Sequence, residues 1–277
     1  MTTIYNEIAD TYRQEDYIFR DSHKTALKQV CDHAIADRAH LKVVDFGVGH
    51  GNFLKDLHFR GSFNQLIGID HSSRMVDIAA SQTPIEGIVS DIDQIDQHLK
   101  ESSTDLVIAH FVLAYVPLDT VLQQAGRVLV PDGHLSLVNS TDEEGLSTAW
   151  VQPLLAHCQK SWNPLLRLVP LFVRRAMSNV HAPTEYAVIE AALSRNGFEV
   201  LDRQQHRFPY RLETPDDAYS LWIEQGWCVT VVDVPGLSFT VLKKFARYII
   251  DRLIFPIAAT HVVESLMLRR IEDVAPK

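Results

Sequence analysis

The chain has few of the residues that would staple it covalently or fix it to a charged polymer. Its 277 residues hold only three cysteines, Cys31, Cys158 and Cys228, an odd number at wide spacing. That matches neither a disulfide framework nor a metal-binding cluster, so ordinary thiols in a reducing cytoplasm and no metal site are expected. Basic residues are outnumbered, 26 Lys and Arg against 35 Asp and Glu, for a formal net charge of −9. Phosphate backbones need basic surface, which disfavours a nucleic-acid partner. No run of eighteen uncharged apolar residues occurs, so no membrane span is expected. The stretch Met1-Thr2-Thr3-Ile4-Tyr5-Asn6-Glu7 has no positive start followed by a long apolar run, so no signal peptide is expected and the location reads as cytoplasmic. Apolar residues, by contrast, make up 46% of the chain. That is ample for one large α/β domain with insertions, or a domain plus a cap.

Residues 43 to 51, Val-Val-Asp-Phe-Gly-Val-Gly-His-Gly, carry the most information. Val43 and Val44 are β-branched and follow Leu41, as in a central parallel strand covered on both faces. Phe53, Leu54 and Leu57 then resume at helical spacing. Gly47, Gly49 and Gly51 therefore sit in a strand-to-helix turn, where glycine leaves no Cβ between backbone and ligand and permits positive φ. A dinucleotide fingerprint would also place glycines here, as Gly-x-Gly-x-x-Gly. Counted from Gly47, however, its third glycine position holds Asn52, Gly51 comes one residue early, and Asp45 precedes the first glycine by two.

Further strands end in chemistry-bearing residues. Leu66-Ile67-Gly68-Ile69 closes on Asp70, nineteen residues past Gly51, where a carboxylate can accept from both ribose hydroxyls of an adenosine. Gly87-Ile88-Val89-Ser90 closes on Asp91, and Asp105-Leu106-Val107-Ile108-Ala109 on His110. After Phe111 to Pro117 comes a helix, and then a strand preceded by Pro131-Asp132-Gly133. The register Asp-x-Gly-x-Gly-x-Gly at 45 to 51, with these blocks behind it over about residues 40 to 140, resembles the class I, Rossmann-like S-adenosylmethionine-dependent methyltransferases.

The resemblance implies an α/β fold: a doubly wound, mostly parallel seven-stranded sheet with helices on both faces and helical cap insertions. It implies S-adenosylmethionine as cofactor, with Asp45 and the glycine turn at its methionine end, Asp70 on the ribose, and His71 and Met75 near the adenosine. Asp91 would accept from the adenine amino group, the Ile92 amide would serve a ring nitrogen, and His110 would stand beside the sulfonium. Where the family often has a histidine after the fourth strand, this chain has Tyr115. Carboxylates suit hydroxyl and amino donors as acceptors, and ligands of doubly wound sheets bind at the carboxyl ends of strands.

The chain divides into an N-terminal helical cover (1–38), a cofactor-binding core (39–145), a helical lid insertion (146–183), a core continuation (184–206), an aromatic-rich cap (207–258) and a terminal strand with tail (259–277). The first segment reads as two helices, with Tyr5, Ile8, Ala9 and Tyr12 on one stripe and Ala26, Leu27, Val30 and Ala34 on the next. Ala9 to Tyr12 matches the family's Ala-x-x-Tyr cover of the cofactor; Tyr12 reads equally as a half-buried packing aromatic. Between residues 146 and 184 there is no Asp or Glu, while Lys160, Arg167, Arg174 and Arg175 are interleaved with leucines. Either Arg167, Arg174 or Arg175 meets an anionic substrate or the apolar face receives an acyl or aromatic group, or else the arginines pair with acids in a surface hairpin. Thr184 begins a helix that ends at Asn196-Gly197 before the sixth strand, Phe198 to Leu201. The aromatics of the cap read mainly as its own core.

The expected activity is methyl transfer to oxygen or nitrogen of a small-molecule acceptor. Alignment and exclusion of water supply most of the rate, and a base is needed only when the acceptor must lose a proton. His110 leads the candidates for it, followed by Tyr115, His157, His181 and His206. Two rival readings are a non-methylating enzyme on the same cofactor fold, a decarboxylase, cyclase or rearrangement catalyst, and an inactive cofactor-binding interaction protein.

Overall fold

A computed structural model describes residues 2–12, 17–36, 38–141, 159–160, 167, 185–226 and 238–271. Seven strands form one sheet: β1 (Leu41–Phe46), β2 (Phe63–Asp70), β3 (Glu86–Val89), β4 (Thr104–His110), β5 (Leu129–Thr141), β6 (Phe198–Leu212) and β7 (Ile257–Arg270). Their order is β3-β2-β1-β4-β5-β7-β6. The β1–β2, β1–β4, β2–β3 and β4–β5 pairs are parallel, and β7 is antiparallel to both β5 and β6. Chain order reverses between β1 and β4. A crevice opens there beyond the carboxyl ends of the strands, the place where doubly wound sheets take their ligands.

The period-two alternation of each strand divides the core into two layers. Val44, Phe46, Ile67, Ile69, Val107, Ala109, Leu135, Leu137, Leu266 and Leu268 face α5 (Leu118–Val128) and α6 (Tyr186–Arg195). Val43, Leu106, Ile108, Val138, Val263 and Met267 face α2 (Tyr17–Val30) and α3 (Asn52–His58). On α5 the buried residues Leu118, Val121, Leu122, Ala125 and Val128 recur at helical spacing. Each buried Leu or Val there contributes about 1.5–3 kcal/mol, so Leu122→Asp would open this layer.

A third cluster lies beyond the strand ends. It joins Ile4, Tyr5 and Ile8 of α1 (Thr2–Ile8) to Tyr210 and Leu212 of β6. It also takes in α7 (Pro215–Tyr219), the π-turn Ser220–Glu224, and α8 (Phe239–Ile250). The sixth strand therefore runs past Leu201 to Leu212. Pairing with β7 through Leu212↔Ile257 supplies the ladder that the short apolar run Phe198 to Leu201 did not reveal. Trp222 and Phe239 are buried in this cluster. Among the described residues no helix is long and apolar enough to cross a membrane.

Candidate active site

The loop from β1 to α3 makes the floor of a cavity of about 430 Å³ at the switch point. Gly47, Gly49 and Gly51 all have positive φ, at 77°, 50° and 75°. They face different surroundings. A Cβ at Gly51 would meet Cβ of Ala79 at 2.8 Å, on α4 (Ser73–Gln82), so this glycine lets the turn approach a helix. A Cβ at Gly49 would meet no protein atom within 4 Å, and Gly49 lines the cavity. The space that its missing side chain leaves is open to a ligand. Gly47 lines the cavity as well, whereas Gly51 does not.

Three strand ends each present an acid. Asp45, at the end of β1, is 4% exposed, and burial pushes its carboxyl up to about 8, helped by the neighbouring Asp70 charge. It has no hydrogen-bond donor among the described residues, so it is a buried acceptor with unused capacity. Asp70, at the end of β2, accepts the Gly49 amide at 3.0 Å on one oxygen and the Ser72 amide at 2.9 Å on the other. Burial raises its pKa, and these amides together with His71 counter the shift. Asp91 follows β3, lines the cavity, and its side chain caps no helix end; Ile92 lines the cavity beside it.

His110 ends β4, and its Nε2 lies 2.9 Å from Oγ of Ser136 on β5. Burial, with a smaller contribution from His23, lowers it to about 3. It is thus neutral across the physiological range, a hydrogen-bonding group and a weak base. Phe111, the next residue, has φ 58°, a backbone conformation that a bulky side chain adopts only when its surroundings enforce it. Its amide donates to the Val138 carbonyl at 2.8 Å, which fixes the turn leaving β4.

The roof is aromatic. Tyr5 meets Tyr12, His71 and Tyr115 edge to face, with ring centroids 5.7, 5.3 and 5.6 Å apart. Polar contacts fasten α1 over the crevice: Ser72 Oγ donates to Asn6 Oδ1 at 2.7 Å, Arg74 pairs with Asp10 at 3.0 Å, and His50 Nε2 lies 2.6 Å from the Ala9 carbonyl. Tyr12 packs against Gly226 of the cap, where a Cβ would stand 2.5 Å from its ring. The N-terminal segment and the stretch that follows β6 thus meet beside the cavity.

Of the residues singled out from sequence, Asp45, Gly47, Gly49, Asp70, His71, Met75, Asp91, Ile92, His110, Tyr115 and Tyr12 come together around this one cavity. His206 lies on β6, stacked on Phe208, and does not line it. Arg174, Arg175, His157 and His181 lie outside the described residues. Sequence reasoning missed Arg20, His23 and Asp56 on the wall. Asp56 Oδ2 stands 2.9 Å from His23 Nε2, yet the two are 33 residues apart on different helices, and no local pattern marks such a pair.

A doubly wound sheet of this order, with acids at successive strand ends around a glycine turn, is similar in fold to the Rossmann-like, class I S-adenosylmethionine-dependent methyltransferases. Residues 44–137, about a third of the chain, match the family model described as methyltransferase domain. A curated relative, an uncharacterized methyltransferase of Emericella nidulans, is 27% identical over 38% of this chain; the match spans 43% of that relative's length. Among solved structures, the YcgJ protein of Bacillus subtilis is similar over 91% of this chain and 100% of its own, at 14% identity and a TM-score of 0.55. The [4+2]-cyclase SpnF is similar over 98% and 94%, at 15% identity and a TM-score of 0.58. A geranyl diphosphate methyltransferase solved with S-adenosylmethionine is similar over 92% and 87%, at 14% identity and 0.52. At these identities the likeness is one of fold.

Proposed function

We propose that the protein transfers a methyl group from S-adenosylmethionine to an oxygen or nitrogen of a small-molecule acceptor held in the strand-end cavity. The charge of the cavity carries this reading. Asp56, Asp70 and Asp91 line it, with Asp45 as a further carboxyl that a bound cation would ionise, against a single guanidinium, Arg20, among the described lining residues. S-adenosylmethionine brings a sulfonium and an ammonium with one carboxylate, and an acidic cavity attracts it. A dinucleotide brings two phosphates, which the same acids repel.

The residues fit the cofactor part by part. Asp45, buried without a donor among the described residues, suits the ammonium, and Arg20 suits the carboxylate of the methionine end. Asp70 retains acceptor capacity for ribose hydroxyls while its bonds to Gly49 and Ser72 hold it in place. His71 and Met75 flank the adenosine, and Asp91 with the Ile92 amide suits the adenine edge. Gly49 keeps the floor clear. When bound, the cofactor supplies a methyl on a sulfonium, already activated for in-line displacement. The protein's part is alignment and exclusion of water, by α1 and the Tyr5, Tyr12 and Tyr115 roof. A neutral His110 at the end of β4 adds no positive charge beside the sulfonium.

Titration calorimetry with S-adenosylmethionine, S-adenosylhomocysteine and NAD, followed by a screen of metabolite extracts with methyl-labelled cofactor, tests this. Binding of the two sulfur compounds but not NAD, with one S-adenosylhomocysteine per product, is expected. Preference for NAD would refute it. The fold it shares with the cyclase gives a second reading, a non-methylating reaction, which would yield product without S-adenosylhomocysteine. An inactive binding protein would hold the cofactor and give no product.

A further inference from the structure

Resting on the methyl-transfer reading above, we propose that His23 is the general base of this site, oriented by Asp56, and that the acceptor is a phenolic hydroxyl on an aromatic ring.

His23 is carried by α2 and Asp56 by α3, and both line the cavity. His23 Nε2 stands 2.9 Å from Asp56 Oδ2. A carboxylate only accepts, so this contact places the ring proton on Nε2 and leaves the lone pair on Nδ1, which has no partner among the described residues. The arrangement is that of a base whose tautomer is held by a third group. Phe53 lies edge-on to both imidazoles, 5.0 Å from His23 and 4.4 Å from His110, so one aromatic ring separates the dyad from the residue closing β4. Burial keeps His23 below the ordinary histidine range, with Asp56 pulling the other way, so it is neutral and proton-accepting near pH 7. The charged and titratable groups around it are Asp56 on α3, His110 on β4, and Arg20, Asp21 and Lys24 on its own helix, the last two paired at 3.3 Å.

A base serves only an acceptor that must shed a proton. A carboxylate has none to lose, while a phenol, with a pKa of about 10, is mostly protonated at neutral pH. Tyr5, Tyr12, Phe53, Phe111 and Tyr115 line the same space and suit a flat ring. In the step, the acceptor oxygen forms its bond to the methyl carbon as the sulfur–carbon bond breaks. The bond pair stays on sulfur, which loses its charge, and the hydroxyl proton passes to Nδ1 of His23.

The test uses the whole chain with phenol, catechol, 4-hydroxybenzoate and 4-hydroxycinnamate as acceptors, and with aniline and benzoate as controls, under methyl-labelled cofactor. Wild type should label at least one phenol and neither control. His23→Gln and His23→Ala should lower kcat at least 100-fold, with S-adenosylhomocysteine affinity by calorimetry unchanged within threefold. Asp56→Asn should lower kcat about tenfold with KM little changed, and should move the acid limb of the kcat profile to lower pH, because a group that raises the His23 pKa is gone. Independently of activity, nitrogen NMR of the cofactor-free protein should show His23 as the Nε2–H tautomer, and a mixture in Asp56→Asn. Wild-type turnover by the His23 variants, an Nδ1–H tautomer, or labelling of aniline but no phenol would overturn the proposal while leaving methyl transfer standing. So would cofactor binding with no phenol labelled. Failure of wild type to bind S-adenosylhomocysteine would instead remove the methyl-transfer reading itself.

Discussion

Gly49 and Gly51 sit two residues apart in one turn with similar positive φ, yet their alanine variants should fail in different ways. The backbone term is common to both: a non-glycine residue in the left-handed region costs about 1–2 kcal/mol, or about 2–8 °C in melting temperature for a domain of this size. At Gly51 the added methyl also meets Cβ and Cα of Ala79 at 2.8 and 3.1 Å, and the second of these is helix backbone. Overpacking of that kind costs a further 1–3 kcal/mol or so, which should roughly double the loss of stability. At Gly49 the methyl meets nothing within 4 Å and projects into the cavity, so the same steric term falls on the ligand. A penalty of about 1.4–3 kcal/mol there corresponds to roughly ten- to 150-fold weaker binding. Calorimetry with S-adenosylhomocysteine, beside thermal unfolding, separates the two effects. Gly49→Ala should bind at least tenfold more weakly while losing only the roughly 2–8 °C of the shared backbone term. Gly51→Ala should melt well below it and keep its affinity within a few-fold. The reasoning is refuted if Gly49→Ala binds within threefold of wild type, or if affinity loss in both variants simply follows melting temperature.

Asp70→Ala removes the acceptor for two amides and for the ribose hydroxyls, and each charge-assisted bond is worth about 1.5–3 kcal/mol at most; calorimetry should show at least tenfold weaker cofactor binding, and unchanged affinity would sink the ribose assignment. The carboxyl of Asp45 is raised to about 8, so its stabilising form is the protonated one: the folded state binds the extra proton between about pH 4 and 8, and stability from this group is lost as pH rises through 8. A bound ammonium reverses that loss, so the rise in melting temperature caused by S-adenosylmethionine should be larger at pH 8 than at pH 6, and Asp45→Asn should flatten the difference; a flat response in wild type would exclude Asp45 as the cation's partner. Glu264, 2% exposed, accepts from Arg203 at 3.0 and 2.9 Å and from Gln205 at 2.8 Å. Because the Arg203 side chain is 39% exposed, Glu264→Ala should cost about 2–3 kcal/mol, below the range for a fully buried pair. Cofactor affinity should stay unchanged, and chemical denaturation showing no loss would contradict the pair's structural weight.

The strand-end half of the cavity was legible in the sequence because its parts are local. A parallel strand, a glycine turn and a helix occupy consecutive residues, and the acids at 45, 70 and 91 each terminate an apolar run that reads as a strand. The topology rule for doubly wound sheets then brings those termini to one edge without further information. Even there the glycines looked alike, and only tertiary neighbours separate Gly49, which faces the cavity, from Gly51, which faces Ala79. The proton affinity of His110 was equally hidden, since it follows from burial rather than from residue type. The extension of β6 to Leu212 depends on its pairing with β7, forty-five residues or more along the chain, and an exposed strand that alternates weakly leaves no strong pattern of its own. The helical wall of the cavity was least legible of all. His23 and Asp56 meet because α2 and α3 pack side by side on the same face of the sheet, and contact between two helices is fixed by the core beneath them, through Ala26, Leu27, Phe53 and Leu57, not by any spacing in the sequence.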